Sequence, residues 1–324
     1  YDMGISELVS PSYVTPMSQR PGSLTVKLKN FGALAVNAVR ISYNIDDTLF
    51  GYYDWSGTMA GGAEQNVTIT SSVNIPAGYH TLKVWVEDTL TVGSELIRDH
   101  EPYNDTSFSA FIVCDGPLSG VRNIGGTTPD YNDIEEFLFS LSRCGLDDSL
   151  VVRLAPGEYP PFTMPAFASQ NLNYLVFEPQ SGVVNIYSDS TTGASSIVNL
   201  ENVDHIRFRN ITFVRYNGAL TDMGTLGMTS DSCHFENCRF IDSLDNPSAA
   251  LRISSLLNTG FSDGLYVDGC TFKGGSIGVD VKGQASDNLA MNNIVKNSLF
   301  SGQNENAIKV QNQADVSIEG NEMY

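Results

Sequence analysis

Three residues in the second half of the chain have types and spacing that suit chemistry: Arg252, Asp280 and Lys309. Each is the middle residue of an apolar-x-apolar triplet, and five such triplets recur: Val198-Asn199-Leu200, Leu226-Gly227-Met228, Leu251-Arg252-Ile253, Val279-Asp280-Val281 and Ile308-Lys309-Val310. Stacked strand upon strand, the middle residues form one outward column in which Arg252 and Lys309 flank Asp280, roughly 10 Å apart. A Lys or Arg base placed so can take the proton beside a uronate carboxylate while its neighbours neutralise that carboxylate. The opposing reading is a surface charge ladder, worth about 0.2–1 kcal/mol per pair, and it is preferred. A lone Asp is a poor Ca²⁺ site, because Ca²⁺ takes six or more oxygens, and the carboxylate pair of a glycosidase is missing from neighbouring repeats. Phosphate-binding glycine loops, HExxH and G-x-S-x-G are absent. His205, in "HIRF", has no evident partner and reads as an ordinary surface residue.

A second candidate is "FGYYDWSG", where Tyr52, Tyr53 and Trp55 concentrate ring faces able to stack on sugars. Aromatic residues more commonly fill cores, and that reading is favoured. Binding by Tyr52, Tyr53 and Trp55 stands as the alternative.

The elements that position these residues must be β-structure. The chain has 324 residues, 41% of them hydrophobic and 17% charged, which is a folded composition large enough for one large or two medium domains. A net charge of −19 argues against nucleic acid, whose phosphates need clustered Lys and Arg. The acidic surface favours solubility and can collect Ca²⁺; no other cofactor is implied. No apolar run approaches a membrane span. The chain begins abruptly at Tyr1, as a mature or excised fragment would. The cysteines are too scattered for a zinc site.

Residues 1–115 read as roughly seven short alternating strands. Leu24, Val26 and Leu28 alternate with Thr25, Lys27 and Lys29; so do Leu82, Val84 and Val86, then Phe108, Ala110 and Ile112. This predicts a β-sandwich. "VKLKNFGALAV", "MAGGAEQNVTI", "IPAGYHTLKVWVED" and "EPYND" follow one another as in the bacterial cell-adhesion-related immunoglobulin-like (CARDB) domain, which residues 5–113 resemble. The resemblance implies a spacer or adhesion module.

The glycine-rich stretch 116–126 reads as a linker. In "TTPDYNDIEEFLFSLSRCGLDD", Ile134, Phe137, Leu138 and Leu141 share one helical face; Asp133 with Glu136 suggests a capping box and Gly145 a terminator, so a helix is expected over about 131–144. With the following "APGEY", this segment resembles the opening of right-handed parallel β-helices in large secreted bacterial surface proteins. A helix there covers the open mouth of the tube.

Residues 127–324 carry the repeat. "IRFRNITF", "CHFENCRF", "LYVDGCTF", "NIVKNSLF" and "VSIEGNEM" start 27, 32, 28 and 23 residues apart. Phe208, Phe235, Val267, Val295 and Ile318 form one inward column; Phe213, Phe240, Phe272, Phe300 and Met323 form another. Asn210, Asn237, Gly269, Asn297 and Gly320 form a turn column, where left-handed backbone and stacked Asn amides are expected. Cys238 and Cys270 read as packing residues rather than a disulfide. The last coil shows no cap, so the native protein is expected to continue past Tyr324 with further domains.

The sequence thus predicts an all-β, two-domain, secreted or cell-surface protein: an immunoglobulin-like sandwich followed by a right-handed parallel β-helix. Two functions are carried forward. One is an adhesive or structural module presenting a stacked β-helix face to glycan or protein partners. The other, implied by polysaccharide lyases that resemble this fold, is cleavage of uronate glycans by Arg252, Asp280 and Lys309.

Overall fold

The computed structural model describes residues 1–11, 14–16, 23–71, 73–167, 174–188, 196–200, 202–216, 222–226, 230–242, 254–260, 263–283, 289 and 291–324; at 14–16, 88, 222–226 and 254–260 only the backbone is described. The chain forms two compact units, Tyr1–Gly116 and Pro117–Tyr324.

Strict alternation builds the first unit. In Leu24–Asn30 every second residue is buried, because one face of the strand meets a second sheet. Met3–Ser10, Leu24–Asn30 and Glu64–Thr70 make an antiparallel three-stranded sheet. The larger sheet runs in the order Val14–Pro16, Thr106–Cys114, Gly78–Val92, Val36–Ile45, Leu49–Met59, with Glu95–Arg98 paired onto Gly78–Val92. Val26, Leu28, Ile41, Val84 and Phe111 are fully enclosed between them. One expected phase is wrong. Phe108 points outward and is 72% exposed, whereas Phe111 and Val113 face the core. The strand pairs Phe108 with the outward Lys83, and Phe111 lies opposite His80, which fixes the parity.

The second unit is a right-handed parallel β-helix of three stacked sheets. Residues 116–126, expected as linker, are mostly strand: Leu118–Ile124 pairs in parallel with Leu146–Leu154 and opens the first sheet. The helix forms at Ile134–Cys144. The Asp133 carboxylate accepts the Glu136 N–H at 2.9 Å, and the Glu136 side chain reaches back to the Asn132 N–H at 2.8 Å, one residue before the cap. Gly145 ends it at φ 72°. Ile134, Phe137 and Leu141 are buried in one cluster with Leu150, Leu154 and Leu175 of the first coils, so the helix covers apolar core there.

Both inward columns hold in register: Phe208, Phe235, Val267, Val295 and Ile318 in the first sheet, and Phe213, Phe240, Phe272, Phe300 and Met323 in the second. The second-sheet rings stack at 4.9, 4.6 and 4.7 Å between centroids from Phe213 to Phe300, one strand spacing per coil. The turn column is left-handed throughout, with φ of 55°, 53°, 63°, 50° and 61° from Asn210 to Gly320. Backbone rather than amide bonds carry that ladder: the Asn210 N–H donates to Glu236 O at 3.0 Å and the Asn237 N–H to Asp268 O at 2.9 Å. At the two glycines a side chain would displace the Asn amide beneath. A Cβ on Gly269 would sit 2.5 Å from Asn237 Oδ1, and one on Gly320 2.8 Å from Asn297 Oδ1.

A second left-handed column precedes the first-sheet strands: His205, Ser232, Gly264 and Asn292 at φ 59°, 55°, 67° and 58°. It is tied by carboxylates. Asp204 accepts the Asp231 N–H, Asp231 the Asp263 N–H and Asp263 the Met291 N–H, at 2.7–2.8 Å. His205 is therefore part of the coil geometry rather than an ordinary surface residue. Cys233, Cys238 and Cys270 are free, buried thiols; Cys238 and Cys270 donate to Phe208 O and Phe235 O at 3.5 and 3.3 Å.

Candidate functional site

The third sheet of the β-helix decides the fate of the charged column. Its register runs Asn199, Thr225, Leu257, Asp280, Lys309. Thr225 and Leu257 hold the positions expected for Gly227 and Arg252, and Gly227 and Arg252 themselves fall outside the described residues. Leu257, not Arg252, stands opposite Asp280. Asp280 itself is only 6% exposed, and its Oδ1 has no hydrogen-bond partner among the described residues. A solvent-facing groove with cations on both sides of an accessible Asp280 is therefore not what the register builds. Among the described residues no three His, Cys, Asp or Glu are placed to hold a metal ion.

The outward face of the first sheet carries the charge ladder instead. Arg153–Glu178, Arg209–Glu236 and Lys296–Asp268 pair across adjacent coils at 3.1, 2.9 and 3.5 Å. Beside them, Arg207 lies 4.4 Å over the Tyr174 ring and donates to His234 Nδ1 at 3.0 Å; His234 and Tyr266 rings are 4.9 Å apart. Burial, then the Arg207 charge, pushes His234 down to about 4, so the imidazole is neutral at pH 7 and can accept from Arg207. At Asp268 burial works to raise the carboxyl, but hydrogen bonds from Asn297 and Tyr266 and the Lys296 charge outweigh it, leaving Asp268 below the ordinary range. This face is occupied with itself.

The sandwich differs. Alternation along Leu49–Met59 puts Tyr53 and Trp55 on one face and Tyr52 on the other, so the three cannot form one platform. Trp55 is core, 6% exposed and opposite Val39; Tyr53 lies opposite the core residue Ile41. Tyr53, on the inner face, is still 38% exposed, and only Tyr52 is on the outward face, 61% exposed. It is joined there by three rings from other positions: Phe50, 63% exposed and two residues earlier; Trp85, half-buried on Gly78–Val92; and Phe108 on Thr106–Cys114. Each stands opposite a non-aromatic polar residue: Phe50 opposite Asn44, Tyr52 and Trp85 opposite Ser42, Phe108 opposite Lys83. No ring is stacked against another ring across the strands, and the platform spans three strand spacings, about 14 Å.

Polar groups interleave with the rings. The Arg40 guanidinium lies 4.1 Å from the Tyr52 centroid and grips Asp54 through two hydrogen bonds of 2.7 and 3.0 Å. That bonding raises Arg40 and lowers Asp54, so both stay charged at any ordinary pH. Glu87 Oε1 accepts from Ser42 Oγ at 2.7 Å and Trp85 Nε1 at 3.0 Å, which fixes the indole. Lys83 Nζ sits 5.0 Å from Trp85 and 5.8 Å from Phe108, with no ion-pair partner among the described residues. A groove of about 620 Å³ lies at one end of this face, lined by Arg40, Tyr52, Asp54 and Glu87; of the four rings only Tyr52 lines it. The signal was legible in "LKVWVED": with Leu82, Val84 and Val86 inward, Lys83 and Trp85 must point out.

No protein-family model matches the chain, and no curated protein matches it. Among solved structures, a domain described as from a cell surface protein of Methanosarcina acetivorans is 16% identical, with a TM-score of 0.28 over 35% of this chain and 92% of that one. A CARDB domain from Pyrococcus furiosus, solved with di-metal ions, is 15% identical, with a TM-score of 0.24 over 35% and 86%. The pectin methylesterase of Aspergillus niger is 15% identical, with a TM-score of 0.36 over 64% and 87%. At such identities and scores none of these bears on what this chain binds or catalyses. No helix among the described residues is long and apolar enough to cross a membrane.

Proposed function

We propose that this is a secreted or cell-surface adhesive protein that binds glycan through the outward face of the larger sandwich sheet. The observation that carries the reading is the set Phe50, Tyr52, Trp85 and Phe108, four rings exposed or half-exposed on one face and interleaved with Arg40, Asp54, Lys83 and Glu87. Sugar rings offer apolar C–H faces and a rim of hydroxyls. Aromatic faces take the first, and fixed charged groups take the second. Contiguous exposed rings of this kind mark interaction surfaces on soluble domains. The β-helix face, expected to be the partner surface, has its charges paired and its rings in mutual contact, which supports a structural role as the carrier.

The test is a glycan array followed by calorimetry on the best hits. Tyr52→Ala and Phe108→Ala should each weaken binding about tenfold, the 1.4 kcal/mol expected of one lost stacking contact, with unchanged melting temperature. A folded protein that binds nothing on a broad array overturns the proposal, as does undiminished, wild-type affinity in both variants. The same preparation incubated with uronate polymers tests the lyase reading: new unsaturated ends, lost in Lys309→Ala, would restore it.

A further inference from the structure

A second hollow on the outward face of the larger sandwich sheet, of about 430 Å³, lies at the end away from Arg40 and Asp54. Asn44, Asp46, Asp47, Lys83, Phe108 and Ser109 are among its lining residues. We propose that this pocket takes one neutral pyranose ring through two adjacent hydroxyls and discriminates against charged sugars. The proposal rests on the glycan reading of this face and names the sugar class that the face selects.

The pocket sits at the tip of the hairpin that joins Val36–Ile45 to Leu49–Met59. Asp46 and Asp47 are both left-handed, at φ 52° and 53°, and the Thr48 N–H donates to Ile45 O at 3.1 Å, so they form a tight two-residue turn. Glycine would hold the second position without strain, yet this chain places a carboxylate there. The two carboxylates are used differently. Asp46 serves the fold: its Oδ2 lies 2.6 Å from His80 Nδ1, and its Oδ1 accepts the Thr81 N–H at 2.8 Å. Asp47 Oδ1 accepts from Asn44 Nδ2 at 2.7 Å, while its Oδ2 and its backbone N–H have no partner among the described residues. Asn44 is 8% exposed, so it acts as a fixed post that holds the Asp47 carboxylate at the pocket. Lys83 is exposed and has no ion-pair partner among the described residues. Phe108, with Lys83 Nζ 5.8 Å from its centroid, is still 72% exposed.

This inventory selects the ligand. A sugar hydroxyl both donates and accepts, so an adjacent pair can give a hydrogen to Asp47 Oδ2 and accept one from Lys83, with a C–H face of the ring against Phe108. The remaining wall hydroxyls are engaged: Ser109 Oγ donates to Ala110 O at 3.3 Å and Thr81 Oγ1 to Asp46 Oδ1 at 3.4 Å. A charged sugar is served on one side alone. A uronate carboxylate would meet Lys83 but add a third negative charge beside Asp46 and Asp47, and an amino sugar would meet Asp47 with Lys83 as a like-charged neighbour.

The experiment is calorimetric titration of the full chain with three pairs of sugar tetramers: galactose and galacturonate, mannose and mannuronate, glucose and glucosamine. At least one neutral tetramer should bind, and its charged counterpart should bind at least about tenfold more weakly. Lys83→Met, which keeps the aliphatic stem, and Asp47→Gly, which keeps the left-handed turn, should each weaken the neutral tetramer about tenfold with the melting temperature unchanged. Asp47→Gly should also narrow the gap between a neutral tetramer and its uronate. Charged tetramers that bind as tightly as their neutral counterparts overturn the proposal. So does neutral binding that Tyr52→Ala weakens while Lys83→Met and Asp47→Gly leave it intact, a result under which glycan binding by the face still stands. No binding by any tetramer overturns this proposal; silence across the broad array as well overturns the glycan reading with it.

Discussion

The outer faces of two sheets in this protein use similar residues to opposite ends. On the first sheet of the β-helix, Arg207, His234 and Tyr266 sit above one another, and Tyr174 and Lys296 reach them from neighbouring positions two residues away in register. On the sandwich, Phe50, Tyr52, Trp85 and Phe108 stand opposite Asn44, Ser42 and Lys83, with no ring against another ring, although Arg40 lies over Tyr52 and Lys83 beside Trp85 and Phe108. The difference is one of register. A parallel coil sets each residue over its repeat counterpart, so similar side chains meet at one strand spacing and satisfy each other. An antiparallel sandwich pairs unrelated segments, so a ring can be flanked by short neighbours and remain available. Repetition favours self-sufficiency, and irregular pairing leaves surface for a partner.

The comparison can be broken most severely in the repeat core. Phe240→Ala removes the middle of the ring stack and should cost about 3–5 kcal/mol, seen as a lower melting temperature of the β-helix with glycan affinity at the sandwich retained. Loss of both together would mean that the two faces are not independent. Acid offers a milder break. His234 is held at about 4, against about 6.5 in an unfolded chain. Between those values the unfolded state binds the extra proton, so stability is intact above pH 6.5 and falls as pH is lowered towards 4. Allowing for its partial exposure, the loss should be about 2 kcal/mol, and His234→Gln should show a correspondingly flatter denaturation-midpoint profile across that window.

A sharper probe is Gly269→Ala. A left-handed alanine costs roughly 1–2 kcal/mol, and the new Cβ meets Asn237 Oδ1. Chemical denaturation should show partial recovery when Asn237→Gly is added; no recovery would place the whole cost in the backbone. The smallest effect is expected at Arg153→Ala, whose half-exposed pair with Glu178 is worth about 0.2–1 kcal/mol. Any larger change in denaturation midpoint would mean that the surface ladder acts as a network.

The same contrast explains what the sequence disclosed. Phe213, Phe240, Phe272 and Phe300 announce the coil because each repeat must restate its neighbour's residue, and the Asn and Gly turns follow from positive φ. Asp133 and Gly145 bound the helix through local chemistry that needs no tertiary knowledge. In the third sheet the outward column was expected at Gly227 and Arg252, whereas the ladder places Thr225 and Leu257 beside Asn199 and Asp280, because an apolar-x-apolar triplet is too short to fix a register. The ring platform was only partly visible. Tyr52 was singled out with two residues that turn inward, and its true companions come from strands far apart in sequence. Phe108 was given the wrong parity by neighbouring Ala110 and Ile112.

The buried thiols of the coils have a use beyond packing. Burial pushes Cys233 up to about 12 and raises Cys270 as well, so in the folded tube neither offers a thiolate to a reagent. All three thiols, Cys238 included, are also closed off from reagents by burial, so alkylation has to wait for the coil to open. Mass-resolved labelling over time would make Cys233 and Cys238 clocks for one coil and Cys270 a clock for the next, reporting whether these two neighbours open together or one at a time.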